Sequence, residues 1–156
     1  MYKFLLALLL LFSTGKDCLL AEEVYPFKGM HYLATFADCD EQLINDPDRL
    51  EFLMFLAIRA SGATILEVNR YDFEPQGTTI VFILSESHAS IHTYPEVNGC
   101  FLDIFTCGNT CRPTEFHYFM KASLDPKKVL AEIWQRDDQY MIPLYKDYNE
   151  YDDSDD

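Results

Sequence analysis

The sequence predicts an α+β fold: a two-layer sandwich in which two helices cover one face of a mainly antiparallel sheet. Three observations carry the prediction. Apolar, β-prone runs of strand length recur at Met30–Phe36, Ala63–Tyr71, Thr79–Leu84, Ser90–Tyr94, Cys100–Thr106 and Lys127–Trp134. Two segments alone carry helical spacing with start signals. The connections between strands are short, which suits hairpins and not the long crossovers of a parallel sheet. Helices on one face leave the other face open, and a second copy packing sheet to sheet would cover it in a two-fold dimer.

Each element has its own reason. Met30–Phe36 begins after Gly29 and closes at Ala37-Asp38-Cys39-Asp40. Asp46-Pro47-Asp48 supplies an N-cap, a proline at the first helical position and an acidic first turn. Leu50, Leu53, Met54, Ala57 and Ile58 then follow at helical spacing up to Gly62, so this helix buries one face. Ala63–Tyr71 is rich in β-branched residues, and Phe73-Glu74-Pro75-Gln76-Gly77 is a turn leading into a hairpin. Thr79–Leu84 is almost wholly apolar, as in a strand covered on both faces. Ser90–Tyr94 alternates until Pro95 stops it, and Cys100–Thr106 is the next strand. Pro113 opens a second helix over Thr114–Ser123 with Phe116, Phe119 and Met120 on one face, and Lys127–Trp134 is the last strand.

Bulk properties bound the function. A chain of 156 residues with 49% apolar content forms one domain with a packed core. Its formal net charge of −14 excludes binding to nucleic acid or to anionic membrane surfaces through clustered Lys and Arg. The N-terminus pairs Lys3 with an unbroken apolar run from Phe4 to Phe12, the layout of a signal peptide, with a cleavage position after Ala21. The run falls short of the roughly 20 apolar residues of a membrane span. Residues 1–21 are therefore read as a leader for export, with an uncleaved leader or a misplaced start codon as the alternatives. Residues 22–145 form the domain, and 146–156 form a disordered acidic tail unable to bury enough apolar surface to order itself. Removing the leader leaves Cys39, Cys100, Cys107 and Cys111, and a turn over 107–111 could join the last two. The spacing fits no zinc ribbon, so no metal is expected.

Chemistry concentrates in Glu86-Ser87-His88 and the residues after it. A serine hydroxyl held against the preceding carbonyl can convert that amide to an ester, given a strained turn and a donor for the oxyanion. Loss of the Ser87 α-proton would then expel the Glu86 carboxylate and leave dehydroalanine, which hydrolyses to a pyruvoyl group at a new amino terminus. His92, expected on the facing strand, titrates in the right range to move that proton. His31 and His88 read as structural histidines, His88 also as a neighbour of the cleavage bond. His117 reads as surface or packing and Cys100 as inert core.

Six segments in order resemble the bacterial S-adenosylmethionine decarboxylases, which generate their own pyruvoyl group. They are Gly29-Met30-His31, Ser61-Gly62-Ala63-Thr64, Phe73-Glu74-Pro75-Gln76-Gly77, Glu86-Ser87-His88, His92-Thr93-Tyr94-Pro95-Glu96 and Phe105-Thr106-Cys107-Gly108. The resemblance implies cleavage between Glu86 and Ser87, with Ser87 becoming the pyruvoyl group that forms a Schiff base with substrate. It further implies a processing role for His92 and a proton-donor role for Cys107. Phe73 and Tyr94 would stack on adenine and Glu96 would accept ribose hydroxyls. The expected function is S-adenosylmethionine decarboxylation feeding spermidine synthesis, by a homodimer of cleaved chains and in the cytoplasm, which stands against the export leader.

The chain departs from the family pattern at three places. Thr78-Thr79-Ile80 replaces Val-Ser-Gly, Met30 and Thr35 replace an arginine and an acid, and Tyr94 replaces Trp or Phe. These keep the reaction class and leave ornithine or arginine as alternative substrates. An exported, unprocessed binding protein on the same fold, with Cys107 and Cys111 paired, is the alternative from another class.

Overall fold

A computed structural model describes residues 27–107 and 110–149. In chain order the elements are β1 (Lys28–Ala37), α1 (Glu41–Ile44), α2 (Pro47–Ser61), β2 (Ile65–Asp72), β3 (Thr78–Leu84) and β4 (Ser87–Tyr94). A 3-10 turn (Pro95–Val97), β5 (Gly99–Thr106), α3 (Pro113–Leu124), β6 (Lys128–Asp137) and β7 (Met141–Asn149) complete the chain. The seven strands form one sheet in the order β2-β3-β4-β5-β1-β6-β7, and every pairing is antiparallel. This is the expected α+β architecture.

Period-two alternation divides the sheet into a closed and an open face. Tyr32 and Phe36 of β1, Ile80 and Phe82 of β3, Ile91 of β4, Ile104 of β5 and Val129 of β6 are fully or almost fully buried. They form one core with Leu50, Met54 and Ile58 of α2 and Phe116, Met120 and Leu124 of α3. The opposite face carries His31, Leu33, His88, Ser90, His92, Phe101 and Asp103. The expectation that β3 is covered on both faces fails: Ile83 is 41% exposed there. Its apolar run instead supplies an apolar residue to a face that no helix covers.

Local chemistry explains the helix ends. Asp46 accepts from the Arg49 N–H at 3.0 Å, and Gly62 ends α2 at φ 88°, a conformation that favours glycine. α1 was not foreseen, since one turn carries no periodicity; Asp40 caps it by accepting from the Leu43 N–H at 2.9 Å.

β7 corrects the domain boundary. Residues 146–149, assigned to the acidic tail, continue a strand paired with β6. Their charges are matched on both faces. Lys146 pairs with Glu132 at 2.9 Å, and Asp147 meets His117 at 2.9 Å and Lys121 at 2.5 Å. His117 is accordingly buried and not a surface residue. Its Nδ1 meets the Tyr32 hydroxyl at 2.9 Å. Burial lowers the His117 pKa against the opposing pull of Asp147. The leader and residues 150–156 lie outside the described residues. Among those described, no helix is long and apolar enough to cross a membrane and no three potential ligands gather for a metal.

Candidate active site

Ser85-Glu86 is the whole connection between β3 and β4, because Leu84 pairs directly with Ser87. Two-residue hairpins favour turns with positive φ at their central residues, usually supplied by Asn or Gly. Neither Ser85 nor Glu86 adopts one; the positive value falls on Ser87, at φ 155°. A side chain rarely tolerates that backbone, so strain sits at the predicted cleavage residue. The surroundings fix the turn. The Ser85 N–H donates to the Thr64 carbonyl at 2.9 Å, and the Thr64 N–H donates to Glu86 Oε2 at 3.0 Å. Thr64 is delivered there by the left-handed Gly62 that ends α2, which gives Ser61-Gly62-Ala63-Thr64 a structural reason. The Cys107 N–H donates to the Glu86 carbonyl at 2.9 Å, so the bond expected to break is already polarised by one donor.

The Ser87 hydroxyl lies 3.1 Å from His88 Nδ1, and His88 Nε2 lies 3.6 Å from Asp103 Oδ1. Ser90 donates to the other Asp103 oxygen. Beyond Asp103 stand His31 and Arg136, joined at 2.9 Å, with the Arg136 guanidinium 5.0 Å from the centre of the Phe105 ring. Burial lowers the His31 pKa; Asp103 opposes this, and Arg136 and His88 reinforce it. Cys107 is half-buried beside the turn, and Cys111 is buried with its sulfur 3.4 Å from Ser61 Oγ. The two are not joined, and burial raises the Cys111 thiol pKa.

The remaining predicted residues lie elsewhere. His92 is not on the facing strand: it shares β4 with Ser87, five residues on, about 16 Å away at the rise of an extended chain. Its Nδ1 meets Thr79 Oγ1 at 2.5 Å. The Phe73 and Tyr94 rings stand 5.6 and 4.7 Å from the His92 ring, centre to centre, and Glu96 is exposed in the following 3-10 turn. The predicted residues thus form two groups at opposite ends of β4. Glu86, Ser87 and Cys107 make one, and His92, Phe73, Tyr94 and Glu96 the other. Between them the open face forms a concavity of about 590 Å³, lined by Leu33, Ser90, His92, Phe101, Asp103 and Glu132 among others.

The sequence model of the S-adenosylmethionine decarboxylase family matches residues 30–137, which spans both groups. The chain belongs to the S-adenosylmethionine decarboxylase family. It is 40% identical over 103 residues to an S-adenosylmethionine decarboxylase proenzyme of Clostridium tetani, covering 66% of this chain and 82% of that protein. A proenzyme of the same description from Methanococcus maripaludis is 38% identical over 100 residues, covering 64% and 82%. The crystal structure of the adenosylmethionine decarboxylase from Aquifex aeolicus superposes with a TM-score of 0.65 at 25% identity, covering 81% of this chain and 99% of that one. The sequence reading missed the cluster that Asp103, Ser90 and Arg136 form with His88 and His31. Their only signal was polar residues at alternate strand positions, which becomes a cluster once the register sets His88 opposite Phe105 and Phe105 opposite His31.

Proposed function

We propose that the chain is a self-cleaving, pyruvoyl-dependent S-adenosylmethionine decarboxylase that splits between Glu86 and Ser87. The observation that carries this reading is the strained Ser87 at a two-residue turn whose Glu86 carbonyl receives the Cys107 N–H. Strain at the serine and a donor on the carbonyl both lower the barrier to attack by Ser87 Oγ. The same observation is the test of fit for the cofactor: a pyruvoyl group made from Ser87 would begin the second chain beside Cys107. When present, that group supplies an electron-withdrawing carbonyl for the pair released with carbon dioxide.

The other residues bind substrate and move protons. Cys107 Sγ–H returns a proton to the substrate carbon, Phe73 and Tyr94 stack on the adenine, and Glu96 accepts from ribose hydroxyls. The product, decarboxylated S-adenosylmethionine, is an aminopropyl donor for spermidine and other polyamines.

The two groups act together in a homodimer. A two-fold axis lying between the open faces, parallel to them and perpendicular to the strands, reverses the strands, so one copy's Ser87 and Cys107 face the other's His92, Phe73, Tyr94 and Glu96. Leu33, Phe101 and Leu130, 45, 52 and 47% exposed on that face, supply apolar area for the contact.

Intact mass under denaturing, reducing conditions tests the proposal. Two fragments are expected, the C-terminal one beginning with a pyruvoyl mass at position 87, and Ser87→Ala should give one uncut chain. A Ser87→Ala protein that still splits at this bond would overturn the assignment.

A further inference from the structure

We propose that His88 is the base that starts self-cleavage, and that Asp103 positions it. The proposal rests on the reading that the chain splits at Ser87 and names the group that takes the first proton. An alcohol is too weak an acid to attack a carbonyl unaided near neutral pH, so Ser87 needs a base within hydrogen-bond reach. His88 Nδ1, 3.1 Å from Ser87 Oγ, is that group. Adjacent residues of a regular strand point to opposite faces and do not meet in this way. The irregular backbone of Ser87, at φ 155°, goes with the contact.

For Nδ1 to accept, the neutral ring must carry its proton on Nε2. Asp103 selects that tautomer. Its Oδ1 is buried without a hydrogen bond and lies 3.6 Å from His88 Nε2, while Ser90 holds Oδ2 and so fixes the carboxylate plane. A contact of this length tightens as positive charge develops on the ring. The other charged or titratable groups facing His88 are His31 from β1, its ring centre 6.5 Å away, and Arg136 from β6, which bonds His31 and lies over Phe105. Both are cationic or neutral, so Asp103 is the negative charge that faces the ring.

His92 cannot do this work within one chain, because it lies at the far end of β4 with Nδ1 on Thr79. The two proton transfers of processing are therefore divided. His88 takes the Oγ proton as the Oγ–C bond forms, and returns it to the Ser87 nitrogen as the Glu86 C–N bond breaks, which turns amide into ester with no change of oxidation state. His92 of a second copy is left to take the α-proton when the ester is eliminated.

The steps separate with hydroxylamine near neutral pH, which cleaves esters and leaves ordinary amides intact; cleavage at Asn98-Gly99, the bond hydroxylamine also attacks under alkaline conditions, is told apart by fragment mass. The full chain would be followed by intact mass with and without hydroxylamine, as wild type and as His88→Gln, His88→Ala, His92→Gln and Asp103→Asn. His88→Gln should form ester at least 10²-fold more slowly than wild type and remain uncut in hydroxylamine. His92→Gln should be uncut alone and split by hydroxylamine at Glu86. Added imidazole should restore ester formation in His88→Ala, and Asp103→Asn should move the acid limb of the ester-formation profile to lower pH. Ester formation in His88→Gln at the wild-type rate, in a protein with unchanged Tm, would overturn the proposal. A wild-type chain that never splits overturns the reading beneath it as well, and is told apart by the absence of fragments in every sample.

Discussion

Gly29→Ala tests how tightly the sheet is built around the site. A methyl group at Gly29 would stand 2.7 Å from Cε2 and Cζ of Phe105 and 2.8 Å from the Thr106 carbonyl oxygen. The two contacts differ in kind. The ring is the far end of a side chain and can tilt, whereas the Thr106 carbonyl belongs to a strand whose residue 106 pairs with both Met30 and Ser87. Overpacking of this sort costs about 1–3 kcal/mol, of which alanine returns about 0.4–1 kcal/mol by restricting the unfolded chain. The net loss lies between about 0 and 2.6 kcal/mol, in the upper part of that range because the Thr106 carbonyl cannot tilt away. At about 2.1 cal/mol/K of unfolding entropy per residue, a domain of about 120 residues loses about 4 °C per kcal/mol, so Tm should fall by several degrees, up to about 10 °C. Differential scanning calorimetry of wild type, Gly29→Ala, Phe105→Ala and the double variant measures the fall and its origin. The double variant should recover only part of the loss, because the backbone contact remains. An unchanged or raised Tm in Gly29→Ala would refute the packing argument.

Thermal stability should fall on acidification in two stages. Burial keeps the His117 pKa below 6.5, so the unfolded chain binds the extra proton first and stability drops as pH falls below 6.5. Burial raises the Asp147 carboxyl, but Lys121 and His117 outweigh it and hold the pKa below 3.8; that contribution is present above 3.8 and is lost as pH falls through the folded value. Burial lowers the His31 pKa in the same way, so melts across pH should show the first stage shrink in His117→Gln and vanish only when His31→Gln is added. Phe73→Ala should raise KM for S-adenosylmethionine about 2- to 10-fold, the worth of one aromatic stack, and unchanged kcat/KM would argue against adenine stacking. Cys107→Ala should still split, since the residue's N–H and not its thiol polarises Glu86, yet lose about 10²- to 10⁴-fold in turnover by steady-state carbon dioxide release; full activity would remove Cys107 as the proton donor.

Most of the sheet was legible in the sequence because burial on one face imposes a period of two, and α2 was legible because Asp46, Pro47 and Gly62 punctuate it. β7 was not, for a physical reason. Its first half, Met141 to Leu144, is apolar but exposed and carries a proline, and its second half is polar and leads into the acidic end, so no buried alternation distinguishes a strand from a solvated tail. What orders them is the pairing with β6 and the ionic partners Glu132, Lys121 and His117, all of them distant in sequence. The site was legible to the same degree. Ser87, Cys107 and His92 stand out by residue type and motif, whereas the distance between Ser87 and His92 depends on their sharing β4, and the link from His88 to Asp103 depends on the β4–β5 register.

The departures from the family pattern bear on whether this chain has kept the chemistry. Where the pattern has Val-Ser-Gly, this chain has Thr78-Thr79-Ile80, and each residue has a separate use. Thr78 turns inward, its N–H donating to Thr93 Oγ1 at 2.9 Å and its hydroxyl to Asp72 at 2.7 Å. Ile80 is wholly buried in the core, filling space that a glycine there would leave to its neighbours. Thr79 keeps a hydroxyl at the serine position and points it at His92 Nδ1. A β-branched residue holds that hydroxyl in fewer rotamers than serine does, so the substitution restrains the contact that it preserves. The same segment therefore gains packing on the closed face and retains a polar contact on the open face, as the alternation of a strand permits when only one of its faces does chemistry.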